Sequence, residues 1–353
     1  MLMQLPVAIC GLTPVAARRP EPSLFGWVVE SHAAAYASHP ACDVVAVYDW
    51  RQALMTDFRD TWLDFWPAVA LYPYLGLLLD EAKPAIVSVA TPEVNRAEAV
   101  LAALAAGVKG LLCEKPMATS LTDGHRIIRA VRESGAKMVL YQPRRYSPLF
   151  HQALNLLHSG DLGELRRIRC YHGGSRALLF RTGAHVIDTL CFLAESPVVE
   201  VTGRLEPGFD DYEPYLSELP RDPGQEPTAS ARLIFANGVV AHYDGVRHGR
   251  RVLWFDVEGS RGGLRIWERH LELTTAGGTR ILAPRQYDRV GIAGAVNELV
   301  RLVQYGGETI SSPEDGLQTL AVLLGILESA RHNTKTVAIA DRLMPESQRH
   351  WRL

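Results

Sequence analysis

Short apolar runs and amphipathic stretches alternate along the first 140 residues. The apolar runs have the length of buried strands and occupy residues 5–10, 44–48, 85–90, 108–112 and 138–141. Between them, alanine-rich segments such as 97–106 and 124–134 carry their apolar residues at helical spacing. Strands that alternate with helices in this way predict right-handed crossovers, and hence a parallel sheet covered by helices on both faces.

The pattern changes after Ser147 and Pro148 and the helix that is predicted to follow them. Alternating apolar and polar positions, typical of antiparallel strands, occupy residues 166–171, 198–204, 229–235, 239–245, 252–257, 263–267 and 271–275. Asn237 and Gly238 are typical of a hairpin turn between two of these strands. Two helical stretches follow, at residues 292–305 and 314–330.

The length of 353 residues suggests two domains, which we place at residues 1–145 and 146–353. The first is predicted to be an α/β domain with a parallel sheet. The second is predicted to be an open, mainly antiparallel sheet with flanking helices. Its C-terminal helices are also able to pack back on the first domain.

The composition is that of an ordinary globular protein, with 47% hydrophobic and 22% charged residues. A formal net charge of -2 gives no electrostatic reason to bind nucleic acid or an anionic membrane. No apolar stretch approaches the roughly 18 residues of a membrane span, and the N-terminus lacks the pattern of an export signal. The 5 cysteines have no C-x-x-C spacing, so we expect reduced, buried thiols in a cytoplasmic protein.

A lysine stands directly after the apolar run 108–112, in the sequence Cys113-Glu114-Lys115-Pro116. A lysine at the C-terminal edge of a buried strand is poorly solvated, and its pKa is easily shifted. In a doubly wound sheet, ligands bind at this edge, so Lys115 is placed for chemistry. The alternative is a surface lysine at an ordinary strand-to-helix turn.

Further motifs follow one another over more than 300 residues. They are VAICGL (7–12), HAAAY (32–36), VVAVYD (44–49), ATP (90–92), AG (106–107), CEKPMA (113–118), RYSP (145–148), GE (163–164), GAHVID (183–188), EGSRG (258–262) and EDGL (314–317). In order and spacing the chain resembles the Gfo/Idh/MocA family, named after glucose–fructose oxidoreductase, inositol dehydrogenase and rhizopine catabolism. The resemblance implies a Rossmann dinucleotide-binding domain followed by a substrate and oligomerisation domain. It also implies an NAD(P)-dependent oxidoreductase that acts on a hydroxyl or keto group of a sugar, cyclitol or sugar derivative.

A dinucleotide site needs glycines after the first strand, so that the backbone can approach the pyrophosphate. Gly11 stands where the first glycine is expected, but Thr13 replaces the second glycine of the family. If the motif at 32–36 is aligned with the same motif of the family, Gly26 takes the position of the second glycine. Residues 13–25 are then an insertion. Either this longer loop still binds the cofactor, or the fold survives without it.

Asp49 ends the second predicted strand, where an acid accepts the ribose hydroxyls of NAD and repels the 2′-phosphate of NADP. We therefore expect NAD, with NADP less favoured, although Arg51 would soften that discrimination. Arg18 and Arg19 of the insertion are candidates to meet phosphate, and we attach little weight to Arg96, where the family often has histidine. The resemblance implies that further residues line the cofactor: Thr91, Pro92, Glu114 and Lys115.

Oxidising an alcohol with NAD needs a group that holds the hydroxyl oxygen and a base for its proton. The resemblance implies that Lys115 hydrogen-bonds the reacting hydroxyl. It implies that His185, which begins a predicted helix in a Gly-x-His-x-x-Asp setting, is the acid/base. The aspartate that the family has four residues before this histidine is Arg181 in this chain.

An added arginine crowds the cations of such a site unless an anion intervenes. We therefore expect an anionic substrate, with a carboxylate or phosphate held by Arg181 and further substrate contacts from Arg145 and Asp188. The alternative is that Arg181 pairs with a protein acid such as Glu114 or Asp188.

The histidines lack H-E-x-x-H and clustered spacing, so no metal site is predicted. The expected ligand is a sugar-like small molecule. The resemblance also implies that the open sheet forms a subunit interface, so we expect a homodimer or homotetramer. Two rival functions stay open. One is a redox-neutral lyase or glycosidase that keeps NAD bound and oxidises its substrate transiently. The other is a non-catalytic ligand sensor.

Overall fold

The computed structural model describes residues 4–20, 22–23, 26–27, 29–215, 225–284 and 290–344. They divide into two compact units. The first unit holds the described residues up to Tyr146 together with those of 290–316. The second holds the described residues from Ser147 to 284 and from Leu317 to 344.

Up to Tyr146, strands and helices alternate as the apolar pattern predicts. The described elements are β1 (Leu5–Cys10), α1 (Pro14–Ala17), β2 (Pro22–Ser23), β3 (Gly26–Trp27), α2 (His32–Ala37), β4 (Cys42–Tyr48), α3 (Gln52–Thr61), β5 (Ala70–Tyr72), α4 (Leu75–Ala82), β6 (Ile86–Val89), α5 (Glu93–Ala105), β7 (Gly110–Cys113), α6 (Leu121–Ser134), β8 (Lys137–Leu140) and a 3-10 turn (Pro143–Tyr146).

From Pro148 onward the described elements are mostly strands. They are α7 (Pro148–His158), β9 (Leu165–Gly173), a π-helical turn (Leu179–Gly183), α8 (Ala184–Ala194), β10 (Val198–Leu205), β11 (Ala229–Phe235), β12 (Val240–Val246), β13 (Val252–Gly259), β14 (Gly263–Ile266), β15 (Leu271–Thr275), β16 (Gly278–Leu282), α9 (Gly291–Tyr305), α10 (Pro313–Arg331), β17 (Val337–Ala338) and a 3-10 turn (Ala340–Arg342).

Six described strands of the first unit form one parallel sheet in the order β5-β4-β1-β6-β7-β8. The chain runs outward from β1 through β4 to β5, and then returns to β6 on the other side of β1. This reversal creates the point where doubly wound sheets bind ligands, beyond the carboxyl ends of the strands. The sheet confirms the predicted parallel α/β domain, and β5 is an added edge strand.

Helix α9 completes the core of the first unit, although it lies far along the sequence. Its residues Ile292, Val296 and Leu299 are buried in the same apolar cluster as Val7 and Ile9 of β1. The helix stays amphipathic because one face enters this core and the other does not.

The segment after β1 differs from an uninterrupted phosphate loop and helix. The one-turn helix α1 starts at Pro14, and β2 and β3 then pair with Ser23 opposite Gly26. Gly26 thus lies in a hairpin strand and not in the turn that follows β1. Residues 21, 24 and 25 of the predicted insertion lie outside the described residues. Helix α2 then begins behind Ser31, whose Oγ accepts the N–H of Ala34 at 3.1 Å.

Nine described strands of the second unit form a sheet in the order β16-β15-β14-β13-β9-β12-β11-β10-β17. Only β9 and β12 pair in parallel among these described strands, so the predicted open and mainly antiparallel sheet is confirmed. Helix α10 packs closely on β10, since a Cβ on Gly203 would lie 2.7 Å from Cγ2 of Ile326. Strands β16 and β17 were not predicted.

Among the described helices, none is both long and apolar enough to cross a membrane. The 5 cysteines all fall within the described residues, where each is buried and none forms a disulfide.

Candidate active site

At the carboxyl edge of the first sheet, the turn after β1 touches the turn after β6. Gly11 has φ +87°, and a Cβ there would lie 2.6 Å from the backbone nitrogen of Thr91. Its N–H donates to the carbonyl of Tyr48 at 2.8 Å. Only glycine suits this backbone conformation and this close approach.

Asp49 follows β4 and is only 2% exposed. One carboxylate oxygen accepts the N–H of Leu12 at 2.8 Å and Nη2 of Arg51 at 3.0 Å. The other accepts the backbone N–H and Nε of Arg51, both at 2.9 Å. Burial raises the pKa of Asp49, but the hydrogen bonds from Arg51 and Leu12 outweigh it and hold the pKa below its usual value.

The arginine of this pair also covers an aromatic ring. The guanidinium carbon of Arg51 lies 5.3 Å from the ring centroid of Trp50, which is 68% exposed. Arg19 of the inserted segment does not reach this edge. It pairs with Asp64 at 2.6 Å and lies over the ring of Phe65.

Lys115 follows β7, and its turn is held by the preceding acid. The carboxylate of Glu114 accepts the N–H of Lys115 at 3.3 Å and contacts Nε2 of His32 at 3.2 Å. His32 is fully buried, and its Nδ1 lies 2.5 Å from Oγ of Ser88. Burial alone would raise the pKa of Glu114, but His32 and the neighbouring cations Arg96 and Lys115 lower it below the usual value.

Arg96 joins the turns after β6 and β7, a role that was not expected from the sequence. Its guanidinium donates to the carbonyls of Thr91 at 2.5 Å and Pro116 at 2.6 Å. Both Arg96 and Thr91 are 5% exposed. Among the described residues, Nε of Arg96 and Oγ1 of Thr91 are buried without a hydrogen-bond partner. Pro92 occupies the position just before α5.

In the second unit, His185 is the second residue of α8 and is half-buried. Asp188, one turn later, is only 1% exposed. Arg181 lies in the π-helical turn just before the helix, and its Nε donates to the carboxylate of Glu226 at 3.1 Å. Glu226 is therefore a protein acid that pairs with Arg181, and it is not one of the two examples named from the sequence.

A tyrosine and a histidine that the sequence did not single out lie beside this turn. A Cβ on Gly183 would lie 2.8 Å from the hydroxyl of Tyr243. Nδ1 of His172 is 3.3 Å from the same hydroxyl. Burial, more than the neighbouring charges, raises the pKa of Tyr243. Tyr243 lies in the predicted strand at residues 239–245 and His172 directly follows the one at 166–171, so the sequence indicates sheet positions for them and no function.

Arg145 is buried and makes its described contacts within the first unit. It is 4% exposed, donates to the carbonyl of Ile310 at 2.7 Å and pairs with Asp315 at 3.2 Å. A guanidinium held in this way ties the 3-10 turn after β8 to the start of α10. Within the described residues, no three His, Cys, Asp or Glu side chains are grouped to hold a metal ion.

Two family models match the sequence. The one described as "Oxidoreductase family, NAD-binding Rossmann fold" matches residues 25–142, and the "GFO/IDH/MocA C-terminal domain" matches residues 150–265. Together they cover more than half of the 353 residues. The chain belongs to the Gfo/Idh/MocA family of NAD-binding oxidoreductases. The first match begins only within the inserted segment, so Gly11 lies outside it.

Individual family members resemble the chain more distantly. Inositol 2-dehydrogenase 2 of Saccharopolyspora erythraea is 30% identical over 150 residues, which is 38% of this chain and 44% of that protein. The chain thus matches less than half of that relative's length. Aldose-aldose oxidoreductase from Caulobacter crescentus, complexed with glycerol, has a TM-score of 0.77 at 19% identity, covering 95% of this chain and 99% of its own. An oxidoreductase from Agrobacterium radiobacter, in complex with NAD+, L-tartaric acid and magnesium, has a TM-score of 0.76 at 20% identity, covering 96% and 99%. These two structures support the fold alone.

Proposed function

We propose that this family member is an NAD(P)-dependent dehydrogenase that acts on a hydroxyl or keto group of a sugar, cyclitol or sugar derivative. The observation that carries the proposal is the Glu114–Lys115 turn. In this turn a half-buried lysine follows β7, at the edge where doubly wound sheets generally bind ligands. Glu114 accepts the N–H of this lysine and also contacts His32, so it holds the lysine backbone in position.

The residues at this edge fit a dinucleotide. The missing Cβ of Gly11 lets the turn after β1 lie against the backbone of Thr91, and Thr91 offers a buried hydroxyl that has no partner among the described residues. Asp49 is placed to hold the adenosine ribose, provided that Arg51 gives up part of its hydrogen bonding. We propose NAD over NADP because Asp49 is an acid.

When bound, the nicotinamide ring supplies the hydride acceptor or donor. Two side chains of the protein bind the reacting oxygen and move its proton. Lys115 hydrogen-bonds the reacting oxygen and stabilises negative charge on it, and His185 takes or returns the hydroxyl proton. We propose that Arg181 binds Glu226 and not the substrate, because its Nε already contacts that buried carboxylate.

The proposed substrate class rests on the family and on relatives named inositol 2-dehydrogenase. The proposed assembly is a homodimer or homotetramer. The experiment is calorimetric titration of the purified protein with NAD and NADP, followed by NADH formation with myo-inositol, glucose and their carboxylate derivatives. Absence of binding for both cofactors would contradict the proposal and favour a ligand sensor. Tight cofactor that copurifies without net NADH release would favour the redox-neutral enzyme.

A further inference from the structure

The π-helical turn Leu179–Gly183 needs hydrogen-bond acceptors that its own sequence does not supply. The first N–H groups of any helix lack intrahelical acceptors. Leu178 precedes this turn and has no side chain able to cap it. The carbonyl of Leu178 accepts the N–H of Gly183 at 2.7 Å and of Thr182 at 3.2 Å, which leaves the N–H groups of Phe180 and Arg181 to find acceptors elsewhere.

Glu226 supplies them from outside the turn. One of its carboxylate oxygens accepts the N–H of Phe180 at 2.7 Å and of Arg181 at 2.9 Å. The other accepts Nε of Arg181 at 3.1 Å. Glu226 is 1% exposed, and a buried carboxylate is tolerated only when charge and hydrogen bonds compensate it. The N-terminus of a helix also stabilises a negative charge.

The segment that carries Glu226 is itself held firmly. Its carbonyl accepts Nη2 of Arg247 at 2.6 Å, and Arg247 also pairs with Glu206 at 3.1 Å. The carbonyl of the next residue, Pro227, accepts the N–H of Leu179 at 2.9 Å. The carboxylate therefore has a fixed position relative to the turn.

This turn leads without a break into the helix that carries His185. Gly183 ends the turn, Ala184 begins α8 and His185 follows. Gly183 lies close to Tyr243, whose hydroxyl would be 2.8 Å from an added Cβ. Because the turn and the helix are continuous, a displacement of the turn would move the backbone of His185.

We propose that Glu226 is a positioning residue for His185. From a distant part of the chain, it supplies the negative charge and the hydrogen-bond acceptors that the turn before His185 lacks. The inference rests on the proposed function, since a fixed His185 matters only if that imidazole handles the substrate proton. Arg181 of the same turn compensates the charge of this carboxylate.

The test compares Glu226→Gln with Glu206→Gln in the full chain labelled with 13C at histidine Cε1. The second variant removes a partner of Arg247 but none of the acceptors of the turn, so it is the matched control. We expect Glu226→Gln to shift the His185 ring resonance, assigned through His185→Gln. It should also speed amide hydrogen exchange in peptides that contain Phe180 by roughly tenfold or more. Glu206→Gln should leave both signals at their wild-type values.

Glu226→Asp keeps the charge on a shorter side chain, and it should return the His185 resonance toward the wild-type position. It also serves if the glutamine variant does not fold. An unchanged His185 resonance in Glu226→Gln, with only faster exchange in the turn, would reduce Glu226 to a structural cap and overturn the proposal. Neither signal requires turnover, so a protein that binds no cofactor would fail the proposed function without altering this result.

Discussion

Two turns, one in each unit, hold a proposed catalytic side chain by the same kind of contact. The carboxylate of Glu114 accepts the N–H of Lys115 and pairs with His32 at 3.2 Å. The carboxylate of Glu226 accepts two N–H groups of the Leu179–Gly183 turn and pairs with an arginine of that turn. In both cases a largely buried acid accepts backbone N–H, and cations compensate its charge: Arg96 and Lys115 for Glu114, and Arg181 for Glu226.

The two turns differ in where the acid comes from. Glu114 is the neighbour of Lys115 in sequence, and the motif is recognisable from the residues alone. Glu226 lies 45 residues from Arg181, and only the fold brings the two together. The first contact can therefore be recognised in the sequence, whereas the second exists only in the folded chain.

The largest expected effect is the loss of the side chain that each turn presents. Lys115→Ala and His185→Ala should each lower kcat by about 10²-fold or more, the range for lost general acid–base help. Steady-state kinetics on the substrate found by the cofactor screen measures this, and melting curves check folding. Lys109→Ala and His332→Ala, both at exposed positions, are the controls. Near-wild-type kcat in either active-site variant would remove that residue from the mechanism.

Most of the fold is predictable because buried strands and helices carry apolar residues in recognisable runs or at regular spacing. The strands β1, β4, β6, β7 and β8 are apolar runs since helices cover both faces of their sheet. The edge strands β5 and β16 escaped prediction because they are short and are not fully buried. Such strands carry little apolar signal.

The candidate site is predictable only where its contacts are local. Lys115 and Asp49 follow strands directly, so their positions at the sheet edge are predictable from the sequence. The roles of Arg96 and Glu226 depend on backbone carbonyls and amides of distant segments, and no spacing of residue types encodes such contacts. For the same reason, the expectation that Arg181 holds a substrate anion could not take its contact with Glu226 into account.

Arg181→Ala tests whether the second turn needs its cation for stability or for substrate. Removing it takes an arginine partner from the buried Glu226 carboxylate. We therefore expect a loss of roughly 1–2 kcal/mol in the free energy of unfolding, below the usual figure for a buried pair because Arg181 is 30% exposed. Melting curves and KM for a neutral polyol and a sugar carboxylate are the measurements. A selective rise in KM for the carboxylate with unchanged melting would instead restore the anion-binding role.

Glu114→Gln tests the first turn through pH. The pKa of Glu114 is lowered in the folded protein, so the stability from this acid is present above its unfolded pKa, about 4.3, and is lost as the pH falls through the lower folded value. The melting temperature of the wild type should therefore exceed that of the variant at neutral pH, and the gap should narrow below about pH 4. A gap that stays constant across this range would show that the charge of Glu114 contributes nothing to the turn.

The smallest expected effect concerns Asp49, a third buried acid that accepts backbone N–H groups and pairs with an arginine. Arg51 now compensates the charge that would repel a 2′-phosphate, and it occupies acceptor positions that a ribose would use. Arg51→Ala should therefore raise the ratio of Kd for NADP to Kd for NAD, by about tenfold if roughly 1.4 kcal/mol of compensation is lost. Calorimetry with both cofactors measures the ratio, and Arg59→Ala, which removes an exposed partner of Asp60 on α3, is the control. If the ratio falls or stays the same, Asp49 does not govern the choice of cofactor, and its pairing with Arg51 serves only to hold the turn after β1.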